Sequence, residues 1–299
     1  MPAAYLAAAG FEQQLRAELG EAISAVHGRL MLSEAPARQA AWAANIWHEP
    51  QRIAIASIGD AAQKLRAMQR NWALYAHGHA GRAKLIAEKL PHVSAKPLVF
   101  PQPAPSAPLG SWTLLAPDLM LAAPHCSSPF PNGEVAFVED KANPPNRAYL
   151  KLWEAFTVLR RYPQPGETCL DLGASPGGWS WVLARLGARV IAVDKAPLDP
   201  RIAAMPGIEW RGQSAFALEP KDAGPVDWLL SDIACYPERL FKLVERWLAS
   251  GQVRNFLCTL KFQHDTDHEA AARFAAIPGA QLMHLHHNKH ELTFALLKD

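Results

Sequence analysis

The segment Cys169-Leu-Asp-Leu-Gly-Ala-Ser-Pro-Gly-Gly-Trp-Ser-Trp-Val runs from a short apolar stretch through a glycine-rich turn into a helical pattern. Gly173, Gly177 and Gly178 let the backbone turn sharply and approach a ligand closely, and the amides at the start of the following helix favour a carboxylate or phosphate. Asp194 stands 23 residues after Asp171 at the end of the next apolar run, where an acid can accept hydrogen bonds from both hydroxyls of a ribose. This strand, loop, helix and acid describe a nucleoside or nucleotide site. A dinucleotide fold is the structural rival. Its fingerprint requires a glycine two residues after the first, however, and Ser175 stands there, followed by Pro176.

The run Asp-Leu-Gly-Ala-Ser-Pro-Gly-Gly-Trp resembles the S-adenosylmethionine loop of the FtsJ/RrmJ-like ribose 2′-O-methyltransferases. The resemblance implies S-adenosylmethionine as cofactor, held by Asp171, Gly173, Ala174, Ser175, Pro176, Gly177, Gly178, Trp179 and Asp194, with Asp232 at the far side. After its third strand that family usually carries an acid facing the adenine amine. Here Gly212-Gln213-Ser214 stands instead, and Gln213 offers a carbonyl oxygen beside Ser214 for the same purpose.

A sulfonium methyl donor leaves the acceptor to be identified. An exocyclic amine usually calls for an (Asn/Asp)-Pro-Pro-aromatic loop after the fourth strand, where this chain reads Ser231-Asp232-Ile233-Ala234-Cys235. Pyrimidine carbon needs a thiolate nucleophile, but Cys258 lies inside an apolar strand and Cys126 lacks an activating context. Cys235 reads as packing, with a thiolate role as the alternative. A ribose 2′-hydroxyl is a poor nucleophile and needs a positioned base together with charge that stabilises the developing alkoxide.

The carboxyl ends of parallel strands form the rim where ligands bind in open α/β sheets. Asp232 ends the fourth apolar run and Lys261 the fifth, Glu291 opens the last, and Lys151 precedes the first on a helix beginning near Tyr149. Taken singly, a lysine at a strand end is usually a solvated cap, whereas Asp232, an acid ending the apolar run Trp228-Leu-Leu-Ser-Asp, stands out as a site residue. Their order matches the Lys-Asp-Lys-Glu tetrad of the same family. The resemblance implies Lys261 as base, Lys151 and Asp232 orienting the hydroxyl, and Glu291 holding a lysine in place.

Two further stretches narrow the likeness. Cys126-Ser-Ser-Pro-Phe-Pro-Asn-Gly and Asn146-Arg-Ala-Tyr-Leu-Lys-Leu-Trp-Glu-Ala-Phe resemble the approach to the catalytic domain in the RlmM family, the bacterial 23S ribosomal RNA cytidine 2′-O-methyltransferases. Gly10-Phe11-Glu12, with Leu15, Glu18 and Leu19, resembles that family's N-terminal ferredoxin-like module. The family's THUMP RNA-binding domain has too little chain here for a complete copy. A non-catalytic RNA-binding or ribosome assembly protein on the same scaffold is the alternative from another class, and methylation of another RNA is the alternative among enzymes.

The elements that position these residues form two patterns. From residue 149 onward a helix over 149–159 precedes strands at 168–172, 189–194, 208–211, 227–232, 256–261, 281–286 and 292–297. This is the rhythm of a Rossmann-like α/β fold with a mostly parallel seven-stranded sheet ending in a hairpin. Before it, short alternating elements (strands at 5–9, 23–32 and 53–57, helices at 11–19 and 60–68) form a smaller α+β domain over 1–96. Five prolines between Pro97 and Pro108 mark 97–125 as a linker with a hairpin, a THUMP remnant, before a methyltransferase domain over 126–299.

Composition agrees with a folded chain. Of 299 residues 49% are hydrophobic and ten are Trp, which is enough apolar material for two cores. Cys126, Cys169, Cys235 and Cys258 are far apart and form no CxxC pair, so they indicate neither a zinc site nor a disulfide framework and fit a reducing cytoplasm. No apolar run reaches membrane-spanning length. The net charge of +2 points to no partner by itself, but eight Lys/Arg against two acids between Arg52 and Lys96 leave an excess of six positive charges, interleaved with Trp72, Tyr75, His77 and His79. Such a stretch tracks a phosphate backbone or is a solvated helix face. RNA, with ribosomal RNA foremost, is the expected partner of a monomer that binds neither DNA nor membrane. The His284-Leu-His286-His287-Asn-Lys-His290 stretch reads as a surface turn rather than a metal site, because methyl transfer from a sulfonium needs no metal.

Overall fold

A computed structural model describes residues 2–298, which divide into two compact units after Phe137. The first unit is built on two sheets. Strand β1 (Ala3–Ala7) is followed by helix α1 (Glu12–Leu19) and the hairpin β2 (Ala25–His27) and β3 (Leu30–Ser33). The hairpin turns at Gly28, where φ is +60° and a side chain would collide with Tyr75 and His77. Strand β4 (Ala43–His48) then pairs with the other edge of β1.

The chain continues through β5 (Gln51–Ala54), α2 (Ile58–Met68), β6 (Trp72–Leu74), α3 (Ala80–Ala87), β7 (Gly110–Ala116), β8 (Leu119–Ala123) and β9 (His125–Cys126). The sheet orders are β2-β3-β1-β4-β9 and β5-β8-β7-β6. Both faces of β8 are buried. Met120 and Ala122 pack with Leu65, Trp72 and Ile86 beneath α2 and α3, while Leu121 and Ala123 pack with Ala4, Leu6 and Trp47 of the first sheet.

This arrangement corrects the division drawn from sequence. Residues 1–96 form no self-contained ferredoxin-like module, and the hairpin expected within 97–125 is present as β7–β8 but is the centre of the second sheet rather than part of a linker. Strands β5 and β6 are the edges of the second sheet, and their partners are β8 and β7, so without residues 110–123 both would have unpaired backbone groups. The proline run itself carries no helix, but Leu98 donates its N–H to Ala136 O at 2.8 Å, tying it into the unit. The strand expected at 23–32 is the β2–β3 hairpin.

The second unit has the expected Rossmann-like architecture. Helix α4 (Tyr149–Leu159) leads to β10 (Thr168–Leu172), α5 (Gly178–Arg185), β11 (Arg189–Val193), α6 (Pro200–Ala203), β12 (Ile208–Arg211), α7 (Pro220–Ala223), β13 (Val226–Ser231), α8 (Pro237–Ser250), β14 (Val253–Lys261), α9 (His268–Ala275), β15 (Ala280–Met283) and β16 (Glu291–Leu296). The sheet order is β12-β11-β10-β13-β14-β16-β15, with β16 antiparallel to both its neighbours and β10 to β14 joined in parallel. Helices cover both faces of such a sheet, and β13 and β14 are buried along almost their whole length. Helix α8 buries Leu240, Leu243, Val244 and Trp247 along one stripe and stops at Gly251 in the left-handed region. Helix α4 packs on α5 through Tyr149, Trp153 and Trp181.

The chain leaves β10 toward β11 and β12 on one side and returns to β13 on the other. The crevice beyond the carboxyl end of β10 is therefore the switch point of the sheet, where ligands bind in folds of this kind.

Candidate active site

The glycine turn between β10 and α5 opens onto a cleft of about 350 Å³. Gly173 has φ +80°, and a Cβ there would lie 2.5 Å from Ile233 Cγ1. Gly177 has φ +113° and caps α5, while a side chain on Gly178 would overlap Asn146 Oδ1. Asp171 is 1% exposed and accepts a 2.6 Å hydrogen bond from Ser180 Oγ. Burial first, and then the neighbouring Asp232 and Asp194 carboxylates, push its carboxyl up to about 7 against the Ser180 bond.

Of the expected ligand contacts, Asp171, Gly173, Ala174, Ser175, Gly178 and Trp179 line the cleft, as do Asp194 and Asp232. Asp194 is half-buried; its Oδ2 accepts from Ser175 N at 3.1 Å and its Oδ1 from Ala196 N at 2.9 Å. Trp179 also donates Nε1 to Ala148 O at 3.0 Å, which pins the turn to the start of α4. Pro176 and Gly177 shape the turn without lining the cleft. Gln213 is exposed, and neither it nor Ser214 is among the lining residues, so the structure does not bring them to this cleft.

Lys151, Asp232, Lys261 and Glu291 converge. Lys151 Nζ lies 2.7 and 2.9 Å from the two Asp232 oxygens and 3.1 Å from Glu291 Oε1. Lys261 Nζ lies 3.1 Å from Asp232 Oδ1 and donates to Asp232 O at 2.5 Å. Register explains half of this, since Lys261 and Glu291 are directly opposite across β14 and β16. Two ammonium groups and two carboxylates balance in charge, which makes their joint burial tolerable. Their side chains are 12% (Lys151), 16% (Asp232), 8% (Glu291) and 26% (Lys261) exposed. Lys261 is thus the most open of the four, and it lines the cleft whereas Lys151 and Glu291 do not.

Several site residues were not legible in the sequence. Asn146, Ala148, Ile233 and Ala234 line the cleft, and Asn146 Oδ1 accepts from Ala148 N at 3.1 Å. Glu154, one helical turn after Lys151, is 2% exposed and holds the turn before Glu291. Its position at i+3 from a candidate lysine was the available signal.

The thiols contribute little reactivity. Burial pushes Cys235 up to about 11 and raises Cys126, Cys169 and Cys258 as well, which disfavours the thiolate that carbon methylation requires. In the histidine-rich turn, burial lowers His284 to about 4. Among the described residues no group of three or more His, Cys, Asp or Glu is placed to hold a metal, and no helix is long and apolar enough to cross a membrane.

Residues 144–295 match the family model of the FtsJ-like methyltransferases. The Ribosomal RNA large subunit methyltransferase M of Halorhodospira halophila is 40% identical over 122 residues, covering 40% of this chain and 35% of that protein. Its namesake from Laribacter hongkongensis is 33% identical over 195 residues, covering 60% and 54%. The match to the Methylococcus capsulatus protein of the same name is 35% over 165 residues, covering 54% and 46%. This chain therefore spans about half the length of these relatives or less. The family model begins just before α4 and ends within β16, so it takes in every element that carries the cleft and the charged cluster, and the chain belongs to the FtsJ-like methyltransferase family.

Proposed function

We propose that this chain methylates a ribose 2′-hydroxyl of RNA from S-adenosylmethionine, with large-subunit ribosomal RNA as substrate and cytidine favoured. The observation that carries the reading is the inequality of the two lysines. Lys151 donates to both Asp232 oxygens, ion-pairs with Glu291 Oε1 at 3.1 Å, and does not line the cleft. Lys261 has two oxygen contacts among the described residues, both on Asp232, and faces the cleft. The names of the relatives support ribosomal RNA as the substrate class.

The cleft fits the cofactor. Each Asp194 oxygen accepts one backbone N–H, and a carboxylate has about four acceptor positions, which leaves room for two ribose hydroxyls. The close-set glycine turn brings backbone to the ligand without side chains between. S-adenosylmethionine, when bound, supplies an electrophilic methyl carbon on a sulfonium. Lys261, in its neutral form, accepts the 2′-hydroxyl proton at Nζ as that oxygen takes the methyl group. Asp232 orients the hydroxyl, Lys151 holds the Asp232 carboxylate and supplies the positive charge that offsets the one developing on the oxygen, and Glu291 holds Lys151 in place.

The test is incubation with methyl-labelled S-adenosylmethionine and ribosomal RNA lacking the modification, followed by nucleoside analysis. The wild-type chain is expected to yield 2′-O-methylribose, and Lys261→Ala to bind S-adenosylmethionine without transferring its methyl group. A methylated base, a Lys261→Ala variant at the wild-type rate, or tight RNA binding without transfer would overturn the proposal.

A further inference from the structure

The histidine-rich turn at 284–291 is hydrogen-bonded to both elements that carry a lysine of the cluster. On the α4 side, the Glu154 carboxylate accepts from His286 N at 2.6 Å, His287 N at 2.8 Å and His287 Nδ1 at 2.6 Å. On the β14 side, Phe262, directly after Lys261, donates its N–H to His290 O at 3.1 Å, and Thr266 Oγ1 lies 2.8 Å from His290 Nε2. The turn is also braced internally. Asn288 N bonds Leu285 O at 3.0 Å, and Asn288 Nδ2 reaches Glu291 O at 3.3 Å and Thr293 Oγ1 at 3.1 Å. His284 Nε2 lies 3.0 Å from Lys289 O, and Lys289 N donates to Glu291 Oε1 at 3.3 Å.

A carboxylate buried to 2% exposure is unfavourable unless its oxygens are satisfied. Glu154 is satisfied by donors drawn entirely from this turn. Charge-assisted bonds of this length are short and directional, so the turn has one seat on α4. Lys151 lies one helical turn away on the same face, with its ammonium on the carboxylate of Glu291.

We propose that Glu154 is a positioning residue for methyl transfer. By holding the His286–His287 backbone against α4, it sets where Glu291 meets Lys151 and so keeps Lys151, Asp232 and Lys261 in register over the cleft. This inference rests on the roles assigned above to the two lysines. It also gives the histidine-rich turn a purpose without a metal: the His287 imidazole is a third donor to the Glu154 carboxylate.

The test uses the full chain, methyl-labelled S-adenosylmethionine and ribosomal RNA. Glu154→Gln keeps the shape but turns an NH2 group toward N–H donors. It is expected to lower kcat by roughly tenfold to a hundredfold with KM for S-adenosylmethionine unchanged. Because Glu154 acts through Glu291, the Glu154→Gln/Glu291→Gln double variant should be no slower than Glu291→Gln alone. Additive losses, or a wild-type kcat in Glu154→Gln, would overturn the proposal. Should Glu154→Gln fail to fold, His287→Ala removes the imidazole contact, leaves both backbone bonds and enters the same cycle. Amide hydrogen exchange supplies a readout apart from activity. Glu154→Gln, or His287→Ala in its place, should speed exchange across 284–291 and at Phe262 while sparing β10 and β13, and unchanged protection would sink the inference. Faster exchange in the variant beside a wild-type chain that transfers no methyl group would instead count against the proposed reaction.

Discussion

Replacing Lys151 with methionine keeps most of the side-chain bulk and deletes three donors from a largely buried cluster. Removing one partner of a buried ion pair costs roughly 3–5 kcal/mol, and the geometry says where in that range this site falls. Asp232 retains Lys261, whose Nζ is 3.1 Å from Oδ1. Glu291, 8% exposed at its side chain, retains the Lys289 N–H at 3.3 Å and no cation among the described residues. With one carboxylate stranded rather than two, about 3 kcal/mol is the expected loss. For a unit the size of residues 138–298, each kcal/mol moves Tm by roughly 2–4 °C. Calorimetric melting should therefore place the second unit's transition roughly 6–12 °C below wild type. Adding Glu291→Gln removes the stranded charge and should recover a substantial part of that drop. A Lys151→Met variant melting within roughly 2 °C of wild type, or a double variant less stable than the single, would show that the four charges are not mutually dependent.

Two further outcomes follow from the glycine turn. Because the Asp171 carboxyl is raised from 3.8 to about 7, the folded chain holds a proton that the unfolded chain releases, and wild-type stability falls as pH rises through that window. Asp171→Asn lacks this titration, so its Tm relative to wild type should increase from about pH 5 to about pH 8; a constant or shrinking difference would contradict the assignment. Gly173→Ala forces a left-handed backbone, at roughly 1–2 kcal/mol, and drives a methyl group into Ile233. Both Tm and S-adenosylmethionine affinity by titration calorimetry should fall, and adding Ile233→Ala should relieve only the steric part. Full recovery in that double variant would rule out the backbone contribution.

The second unit was legible because its signals are local. The glycine turn, the acid after the second strand, the helix beginning at Tyr149 and the apolar strands each declare themselves within about a dozen residues, and α4, β10 and β12 fall where the sequence puts them. The four charged candidates could be named because each stands at the edge of such an element. The first unit was read less well for the opposite reason. Strands β5 and β6 find their partners in β8 and β7, across a proline-rich stretch that locally resembles a linker, and no periodicity announces a pairing made at that distance.

What the sequence alone determined, then, is the order of elements and the identity of the chemical groups, since period, turn residues and charge are properties of neighbours along the chain. The tertiary structure decided which of those groups touch. It showed Lys151 held between Asp232 and Glu291 away from the cleft lining, and Lys261 open to the cleft. It left Gln213 outside the cleft and turned Glu154, an ordinary helical glutamate by its neighbours, into a buried acceptor. Burial and hydrogen-bond partnership depend on segments more than a hundred residues apart in the chain, and only packing in three dimensions brings those segments together.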